Sequence, residues 1–483
     1  MRARGTKALL VLAILAAPVA FPGAAAPAGA RSDEGLGARL AGLVSEADLG
    51  GTLGISVVDA TSGREIFSHH ADLKLNPASN MKLVTAAAAV RELGPDFRML
   101  TGLYGKVEPE GRVSELVLRG FGDPSLRMSD LVELAEQLAD RGVRRMDRLV
   151  VDGSYFDDRI LPPAFDQQPE EVAAFRAPVS AVAVERSAYV LRVLPGPEPG
   201  ARARVRLAAE GYFDVDNSMT TAEAGGPDVV AVQRADGTRM KLILRGSVPT
   251  GILGIGYHRR VEQPLAYAGW AMIEALRRAG IDAADRVELG RGDDGLPLIT
   301  SRKSPPVAEL LRDLGKHSDN FVAEMLLKVI GAERSRPGSS ERGVEALQEA
   351  LRDAGVKDGA ATIINGSGLF DGNRIAAAHL TALLAMMYRK PAHRAEYLAS
   401  LAVGGVDGTL ARRLRDLPTP RVVRAKTGTL ADTIGLSGYV LGPDPERALA
   451  FSVLANDVRG EIGDSRKLAD DIAGALAEHL WKE

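Results

Sequence analysis

The segments most typical of β-strands lie at the two ends of the chain, and this placement constrains the fold more than any other feature. Apolar, β-branched runs separated by turn residues give five strand candidates: 51–59, 64–67, 422–428, 435–441 and 449–455. A helix is predicted beside each group, near 79–93 and near 463–480. The five strands can pair as one antiparallel sheet. Residues 31–100 and 291–483 are therefore predicted to form a single α+β domain.

The middle of the chain, residues 101–290, has a different pattern. Short β-rich runs alternate with Gly/Pro turns, and two amphipathic helices are predicted near 129–141 and 265–278. Because the sheet of the outer domain takes strands from both sides of this segment, the segment is predicted to be an insertion. We expect it to be β-rich and to comprise two small domains.

Residues 1–30 have the pattern of an export signal peptide. Three cations, Arg2, Arg4 and Lys7, precede an apolar run at 8–20, and small residues follow. The run is shorter than the roughly twenty residues that cross a bilayer. We therefore expect export to the periplasm or cell envelope and a soluble protein after cleavage. A retained membrane anchor is the alternative.

Composition excludes several classes of function. The chain has no cysteine, which removes disulfides, cysteine nucleophiles and zinc–thiolate sites. Its 60 Lys+Arg and 63 Asp+Glu give a net charge of −3, without the basic excess typical of nucleic-acid binding. The adjacent His69 and His70 have no third ligand at useful spacing, so neither a metal nor a cofactor is expected. The oligomeric state stays open.

The first candidate for chemistry is the S-x-x-K sequence at 79–82, in the first turn of a predicted helix. Helical spacing of three places Ser79 and Lys82 on one face, so the amine reaches the hydroxyl. A serine hydroxyl needs a neighbouring base, and a lysine can act as one when burial and nearby cations lower its pKa. Alone the pattern is weak, because a solvated helix face has the same spacing.

Two further motifs follow in order. The S-D-N sequence at 318–320 lies between two predicted helices, and the K-T-G-T sequence at 426–429 ends a β-branched run. Within the second motif, Gly428 allows another backbone, such as a bound peptide, to approach the strand closely. S-x-x-K, S-D-N and K-T-G in this order are the signature of serine penicillin-binding proteins and β-lactamases.

Ser79 and Ser318 are 239 positions apart, more than a β-lactamase allows. The chain instead resembles the D-Ala-D-Ala carboxypeptidase/endopeptidase family (peptidase family S13, the DacB-like class-C low-molecular-mass penicillin-binding proteins), which has a large insertion after the nucleophile helix. Five further stretches support the resemblance: 93–98 (LGPDFR), 122–124 (GDP), 177–181 (APVSA), 366–369 (GSGL) and 405–410 (GVDGTL). It implies the penicillin-binding-protein/β-lactamase-like transpeptidase fold, an antiparallel five-stranded sheet flanked by helices.

The resemblance also implies a serine DD-peptidase that removes terminal D-Ala from peptidoglycan stem peptides or cleaves their D-Ala cross-links. Ser79 is then the nucleophile and Lys82 the best candidate for the base. Ser318 is expected to relay a proton to the leaving amine, Lys426 to keep the local potential positive, and Asn320 to bind the substrate's backbone amide. β-Lactams imitate the D-Ala-D-Ala end and are expected to acylate Ser79.

Residues that bind the substrate are implied in the same way. The oxyanion hole is expected at the backbone N–H groups of Ser79 and Thr429. The hydroxyls of Thr427 and Thr429, on either side of Gly428, are expected to bind the terminal carboxylate. In the insertion, Glu185 stands where the resemblance suggests an acidic contact for the amine of a diaminopimelate side chain. An ordinary surface carboxylate is an equal alternative there.

Two departures from the family pattern leave the fine substrate preference open. The family commonly has Asp where Asn365 stands, and tends to keep an Asn where Ser187 stands. Two other functions also stay open: a β-lactamase or esterase of the same fold, and a non-catalytic wall-binding penicillin sensor. Chain length and the insertion count against the first, and three intact motifs count against the second.

Overall fold

The structure is a computed structural model that describes residues 28–481, with side chains described from residue 33 onward. The predicted signal peptide, residues 1–30, lies almost wholly outside this range. Within the described range, no helix is both long enough and apolar enough to cross a membrane.

Ten helices and twenty-one strands are described. The helices are α1 (Ala28–Ala47), α2 (Met81–Leu93), α3 (Met128–Asp140), α4 (Pro264–Arg278), α5 (Val307–Lys316), α6 (Asn320–Arg334), α7 (Ser340–Asp353), α8 (Ala377–Arg389), α9 (Pro391–Ser400) and α10 (Ile462–Trp481). The strands are β1 (Thr52–Asp59), β2 (Glu65–His69), β3 (Leu100–Tyr104), β4 (Arg112–Val113), β5 (Leu116–Gly120), β6 (Arg145–Met146), β7 (Leu149–Asp152), β8 (Ala188–Leu194), β9 (Arg204–Arg206), β10 (Phe213–Asn217), β11 (Thr220–Ala222), β12 (Asp228–Asp236), β13 (Arg239–Pro249), β14 (Ile255–Arg260), β15 (Asp282–Ala283), β16 (Val287–Leu289), β17 (Leu298–Lys303), β18 (Ala402–Val403), β19 (Val423–Leu430), β20 (Thr433–Leu441) and β21 (Ala448–Asn456).

The two ends of the chain form one antiparallel sheet, as predicted. Its strand order is β18-β19-β20-β21-β1-β2. The amino-terminal β1 pairs with the carboxyl-terminal β21 along its whole length, from Thr52 opposite Asn456 to Asp59 opposite Leu449. The five predicted strands are β1, β2, β19, β20 and β21, and the two-residue β18 adds a sixth at one edge.

Apolar side chains cover both faces of this sheet. On one face, Ile55, Leu436 and Phe451 pack with helices α1 and α10. On the other face, Tyr439 and Leu454 pack with the remaining helices of the domain. Helix α2 lies in the middle of that helical layer, and every residue from 81 to 90 is buried. A helix that is buried on all sides gives its first turn a rigid support.

The insertion has two parts. One contains a mixed sheet, in the order β16-β7-β5-β3-β17, and a small sheet, in the order β15-β6-β4, together with α3 and α4. The other contains β8 to β14. Buried apolar residues of both parts, such as Leu149 and Leu242, belong to one cluster. Strand β17 pairs with β3, with Lys303 opposite Leu100. We propose from this pairing that the insertion extends to about residue 303; the predicted boundary was residue 290.

Candidate active site

Ser79 lies in a 3-10 turn, Ala78–Asn80, that runs directly into α2. Ala78 has a left-handed φ of 45°, which is uncommon for a non-glycine residue. Asn76 holds the turn, because its Oδ1 accepts the N–H of Ala78 at 2.9 Å. Asn76 is itself tied to the end of β21, where Oδ1 of Asn456 accepts its N–H at 2.7 Å. The half-buried serine therefore has a fixed position at the start of a buried helix.

A pair of glycines makes room for this turn on the sheet. Gly428 on β19 and Gly435 on β20 are directly opposite each other. The Nδ2 atom of Asn80 occupies the space above both, since a Cβ would lie 2.7 Å from it at Gly428 and 2.0 Å from it at Gly435. Gly428 thus accommodates the 3-10 turn that carries Ser79. Its expected role in admitting a substrate backbone stays a prediction.

Lys82 is fully buried at the centre of the site. Its Nζ lies 2.9 Å from Oγ of Ser79, 2.7 Å from Oδ1 of Asn320 and 2.6 Å from the carbonyl oxygen of Ser367. Burial lowers the pKa of Lys82 to about 7, against the opposing effect of two acidic side chains, Glu324 and Asp319. A substantial fraction of this amine is therefore neutral near neutral pH.

The three contacts of Lys82 suit a neutral amine. Such an amine has two N–H donors and one lone pair, and a carbonyl oxygen can only accept. The Asn320 and Ser367 oxygens take the two N–H groups. The lone pair is then left for the Ser79 hydroxyl, which can donate to it. This is the arrangement that a general base for serine requires.

The S-D-N motif forms a tight corner between α5 and α6. Ser318 has a left-handed φ of 59°. The next residue, Asp319, caps α6, since its Oδ1 accepts the N–H of Val322 at 3.0 Å. Asn320 begins the helix, and its Nδ2 donates to the carbonyl oxygen of Phe175 in the insertion at 3.2 Å. The amide of Asn320 is therefore held at both ends, by Lys82 and by the insertion.

Lys426 brings β19 to this corner. Its fully buried Nζ lies 2.9 Å from Oγ of Ser318 and 2.6 Å from the carbonyl oxygen of Thr427. Burial, and secondarily the charge of Lys82, lowers the pKa of Lys426 well below its usual range. The Thr427 hydroxyl donates to that of Thr409 at 2.9 Å, and Thr429 is exposed.

The structure thus brings together five residues that the sequence motifs single out: Ser79, Lys82, Ser318, Asn320 and Lys426. Glu185 lies apart from them. It is exposed in the insertion, and its Oε1 accepts the N–H of Met128 at the start of α3, at 2.9 Å. It also lines a cavity between the insertion and α5. No contact joins its carboxylate to the five residues, and its role in binding substrate stays a prediction.

Glu324 is an important residue that the sequence motifs do not include. It is fully buried, and its carboxylate accepts the N–H groups of Ser367 at 2.7 Å and Gly366 at 3.3 Å. Glu324 therefore fixes the backbone that presents the Ser367 carbonyl to Lys82. It stands four residues after Asn320 in α6, and this helical spacing is the signal that can identify it.

The hydrogen bonds of Asn365 give a physical reason for one departure from the family pattern, an asparagine where the family commonly has aspartate. Its Nδ2 donates to the carbonyl oxygens of Pro163 and Leu369, at 3.1 and 3.2 Å. Its Oδ1 accepts the N–H of Gly368 at 2.9 Å and Nδ2 of Asn373 at 2.9 Å. This buried position uses both the donor and the acceptor of an amide, whereas an ionised carboxylate can only accept.

No metal centre is evident in the part of the chain that the structure describes, because no three His, Cys, Asp or Glu side chains cluster there. The rings of His69 and His70 contact each other at a tilt of 37°, with centroids 4.2 Å apart.

Comparison with known proteins identifies the family. The sequence pattern of the D-Ala-D-Ala carboxypeptidase 3 (S13) family matches residues 36–479. The chain belongs to this family. The predicted enzyme class, a serine-type D-Ala-D-Ala carboxypeptidase and hence a hydrolase, is thereby confirmed.

Individual relatives agree with this assignment. A D-alanyl-D-alanine carboxypeptidase of Actinomadura sp. is 36% identical over 474 residues, which cover 92% of this chain and 86% of that protein. The crystal structure of penicillin-binding protein 4 (dacB) from Haemophilus influenzae superposes with a TM-score of 0.76 at 23% identity, covering 90% of this chain and 97% of that one. A complex of the latter protein with a β-lactam has a TM-score of 0.72 at 23% identity, with coverage of 92% and 99%. These structures confirm the predicted fold.

Proposed function

We propose that this S13 peptidase acts on peptidoglycan stem peptides through an acyl-enzyme formed on Ser79. One observation carries the proposal: a buried amine with a pKa near 7, Lys82, lies 2.9 Å from the serine hydroxyl. Burial supplies a neutral base next to the nucleophile, and the site needs no histidine. β-Lactams react at the same serine, because they present a strained acyl group in place of the D-Ala-D-Ala amide.

Acylation begins when Oγ of Ser79 attacks the carbonyl carbon between the two D-alanines while its proton passes to Nζ of Lys82. The backbone N–H groups of Ser79 and Thr429 bind the oxyanion. The C–N bond then breaks, and the proton reaches the leaving nitrogen through the Ser318 hydroxyl. Lys82 then takes a proton from a water molecule, whose oxygen attacks the ester carbonyl carbon. The bond from that carbon to Oγ of Ser79 breaks, Lys82 returns the proton to Oγ, and the shortened peptide leaves.

Cations and hydroxyl groups select the end of the peptide. The terminal carboxylate is an anion; it stabilises the protonated form of the buried Lys426, and that ammonium in turn attracts it to the edge of β19. The Thr429 hydroxyl is exposed and available to bind it, and the Thr427 hydroxyl exchanges its bond to Thr409 for one to the carboxylate. Asn320 binds the substrate's backbone amide, since its own amide group is already oriented by two contacts.

Penicillin labelling tests the nucleophile. Purified protein is incubated with a fluorescent penicillin, and the labelled peptide is mapped by mass spectrometry. We expect label on Ser79, none in Ser79→Ala, and full labelling of Ser62→Ala, a control serine at an exposed turn. Label on another residue, or no label in the unmodified protein, contradicts the proposal.

Release of D-alanine from a stem pentapeptide tests the reaction itself. The unmodified protein is expected to release D-alanine and Ser79→Ala is not. Equal release by both proteins means that the assignment is wrong. A parallel assay with a dimer of stem peptides joined by a D-Ala cross-link measures the endopeptidase activity, for comparison with the carboxypeptidase activity. Penicillin turnover faster than D-alanine release supports the β-lactamase alternative, and labelling without any release supports the sensor.

We also propose that the protein is exported, because residues 1–30 combine a cationic start, an apolar run and small residues. Its substrate lies outside the cytoplasm, which agrees with export. Expression of the full chain in a bacterial host, followed by fractionation and amino-terminal sequencing, tests this. A cytoplasmic protein that keeps residues 1–30 contradicts it.

A further inference from the structure

Arg186, a residue of the insertion, forms ion pairs at the S-D-N corner. Nη1 of Arg186 lies 2.6 Å from Oδ2 of Asp319, and Nη2 lies 2.8 Å from Oδ2 of Asp313. Asp319 is the central residue of the motif, and Asp313 lies in the last turn of α5. The guanidinium therefore joins the ends of both helices that meet at the corner. Two charge-assisted contacts from one planar guanidinium to two carboxylates fix its orientation as well as its distance.

The backbone that carries Arg186 is unusual. Glu185, Arg186 and Ser187 are consecutive non-glycine residues, and all three have left-handed φ values, of 51°, 59° and 51°. Such conformations persist only where the surroundings impose them, and they concentrate at functional sites. Backbone bonds hold this turn from both sides: the N–H of Glu185 donates to Leu126, and the N–H of Val261 donates to Ser187, both at 2.9 Å.

Around this contact, the insertion and α5 are separated by a cavity of about 1230 Å³. Arg186 and Asp313 are both part of its wall. The contact between them therefore lies at the wall of an open cavity. In the described structure, the insertion also reaches the corner through the carbonyl oxygen of Phe175, which accepts Nδ2 of Asn320.

We propose that Arg186 is a positioning residue: by clamping Asp313 and Asp319 it holds the corner so that Ser318 stays against Lys426 and Asn320 against Lys82. This inference rests on the proposed function of those residues. It gives the insertion a part in catalysis, since an ion pair from the insertion orients groups of the peptidase domain. Arg186 itself does not touch the reacting atoms.

The clamp also has an electrostatic consequence for Lys82. The titratable groups that face this amine are Asp319 and Glu324 from the α6 side, which raise its pKa, and Lys426 from β19, whose own pKa is lowered by burial and by Lys82. Arg186 balances the charge of Asp319. Without Arg186, the unbalanced carboxylate of Asp319 stabilises protonated Lys82 and raises its pKa. The acid limb of the pH–rate profile, which is the pH range in which the acylation rate rises as Lys82 loses its proton, then moves to higher pH.

The test measures the rate of penicillin acylation against pH for Arg186→Ala, with the melting temperature of each protein. We expect the rate at pH 7 to fall by about tenfold or more, the effect of one lost charge-assisted contact. The acid limb is expected to move up by about half a pH unit or more. The matched control is Arg245→Ala, which removes an exposed ion pair to Asp216 elsewhere in the insertion; its rate is expected to stay unchanged.

Two further variants separate positioning from folding. Arg186→Lys keeps the charge but cannot bridge both carboxylates, so we expect a partial loss of rate with little shift of the limb. Asp313→Asn weakens one arm and leaves Asp319 balanced, so its limb is expected to stay in place. The inference is overturned if Arg186→Ala acylates within about twofold of the unmodified protein, or if its rate falls only as its melting temperature falls, with no shift of the limb. Failure of the unmodified protein to label at Ser79 counts instead against the proposed function.

Discussion

Lys82 and Asn320 are 238 residues apart in the sequence, yet Nζ of the lysine donates to Oδ1 of the asparagine at 2.7 Å. The contact joins the first turn of α2 to the first turn of α6. It also orients the amine, because it occupies one N–H group and so helps to aim the lone pair at Ser79. The protonation state of Lys82 can be followed experimentally through the pH dependence of acylation.

We expect the acylation rate of the unmodified protein to rise with pH through a midpoint near 7. Ser79 needs a neutral Lys82, and burial lowers the pKa of that amine to about 7, so the reactive fraction grows as pH passes that value. Stopped-flow acylation by a chromogenic penicillin between pH 5 and 9 measures the midpoint. A rate that keeps rising toward pH 10, as for an unperturbed lysine, contradicts this expectation. In Lys82→Arg the rate is expected to be near zero throughout.

Glu324→Gln is expected to shift the same limb in the opposite direction from Arg186→Ala. The buried carboxylate of Glu324 raises the pKa of Lys82, so removing its charge lowers that pKa and moves the limb to lower pH. The variant also weakens the bonds to the N–H groups of Gly366 and Ser367, so the maximal rate is expected to fall. The pH dependence of acylation measures both effects. An unchanged midpoint rules out the electrostatic role of Glu324.

Gly435→Ala is expected to displace the 3-10 turn that carries Ser79. Its Cβ would lie 2.0 Å from Nδ2 of Asn80, too close for the side chain to remain where it is. Overpacking of this kind costs about 1–3 kcal/mol of unfolding free energy. Urea denaturation measures the loss, and penicillin acylation is expected to slow by about tenfold or more because Ser79 adjoins Asn80. Gly463→Ala, with open space around its Cβ, is the control and should retain full activity.

Asn365→Asp is expected to destabilise the protein although it restores the residue that the family commonly has. The amide donates to the carbonyl oxygens of Pro163 and Leu369, and an ionised carboxylate in its place would face both as an acceptor. Leaving buried groups unsatisfied costs about 1–3 kcal/mol. Chemical denaturation at pH 7 measures the difference. Stability equal to that of the unmodified protein would mean that the loop rearranges around the carboxylate.

Local sequence determined much of the fold because apolar periodicity reports which face of an element is buried. It predicted β1, β2, β19, β20 and β21 and their assembly from both chain ends. It did not connect the strand at 298–303 with the inserted sheet, because this strand lies beyond the segment that has the β-rich pattern. Only its pairing with β3 assigns it to the inserted sheet.

The candidate site divides in the same way. Helical spacing alone predicts that Ser79 and Lys82 lie close together. The order of the three motifs indicates Ser318, Asn320 and Lys426 as further site residues. Only the tertiary structure shows that three further groups belong to the site: the Ser367 carbonyl, the Glu324 carboxylate and the Arg186 guanidinium. Each of these groups acts through a contact between segments that are far apart in the chain. The residues next to it in the sequence do not indicate which backbone group or charge it contacts after folding.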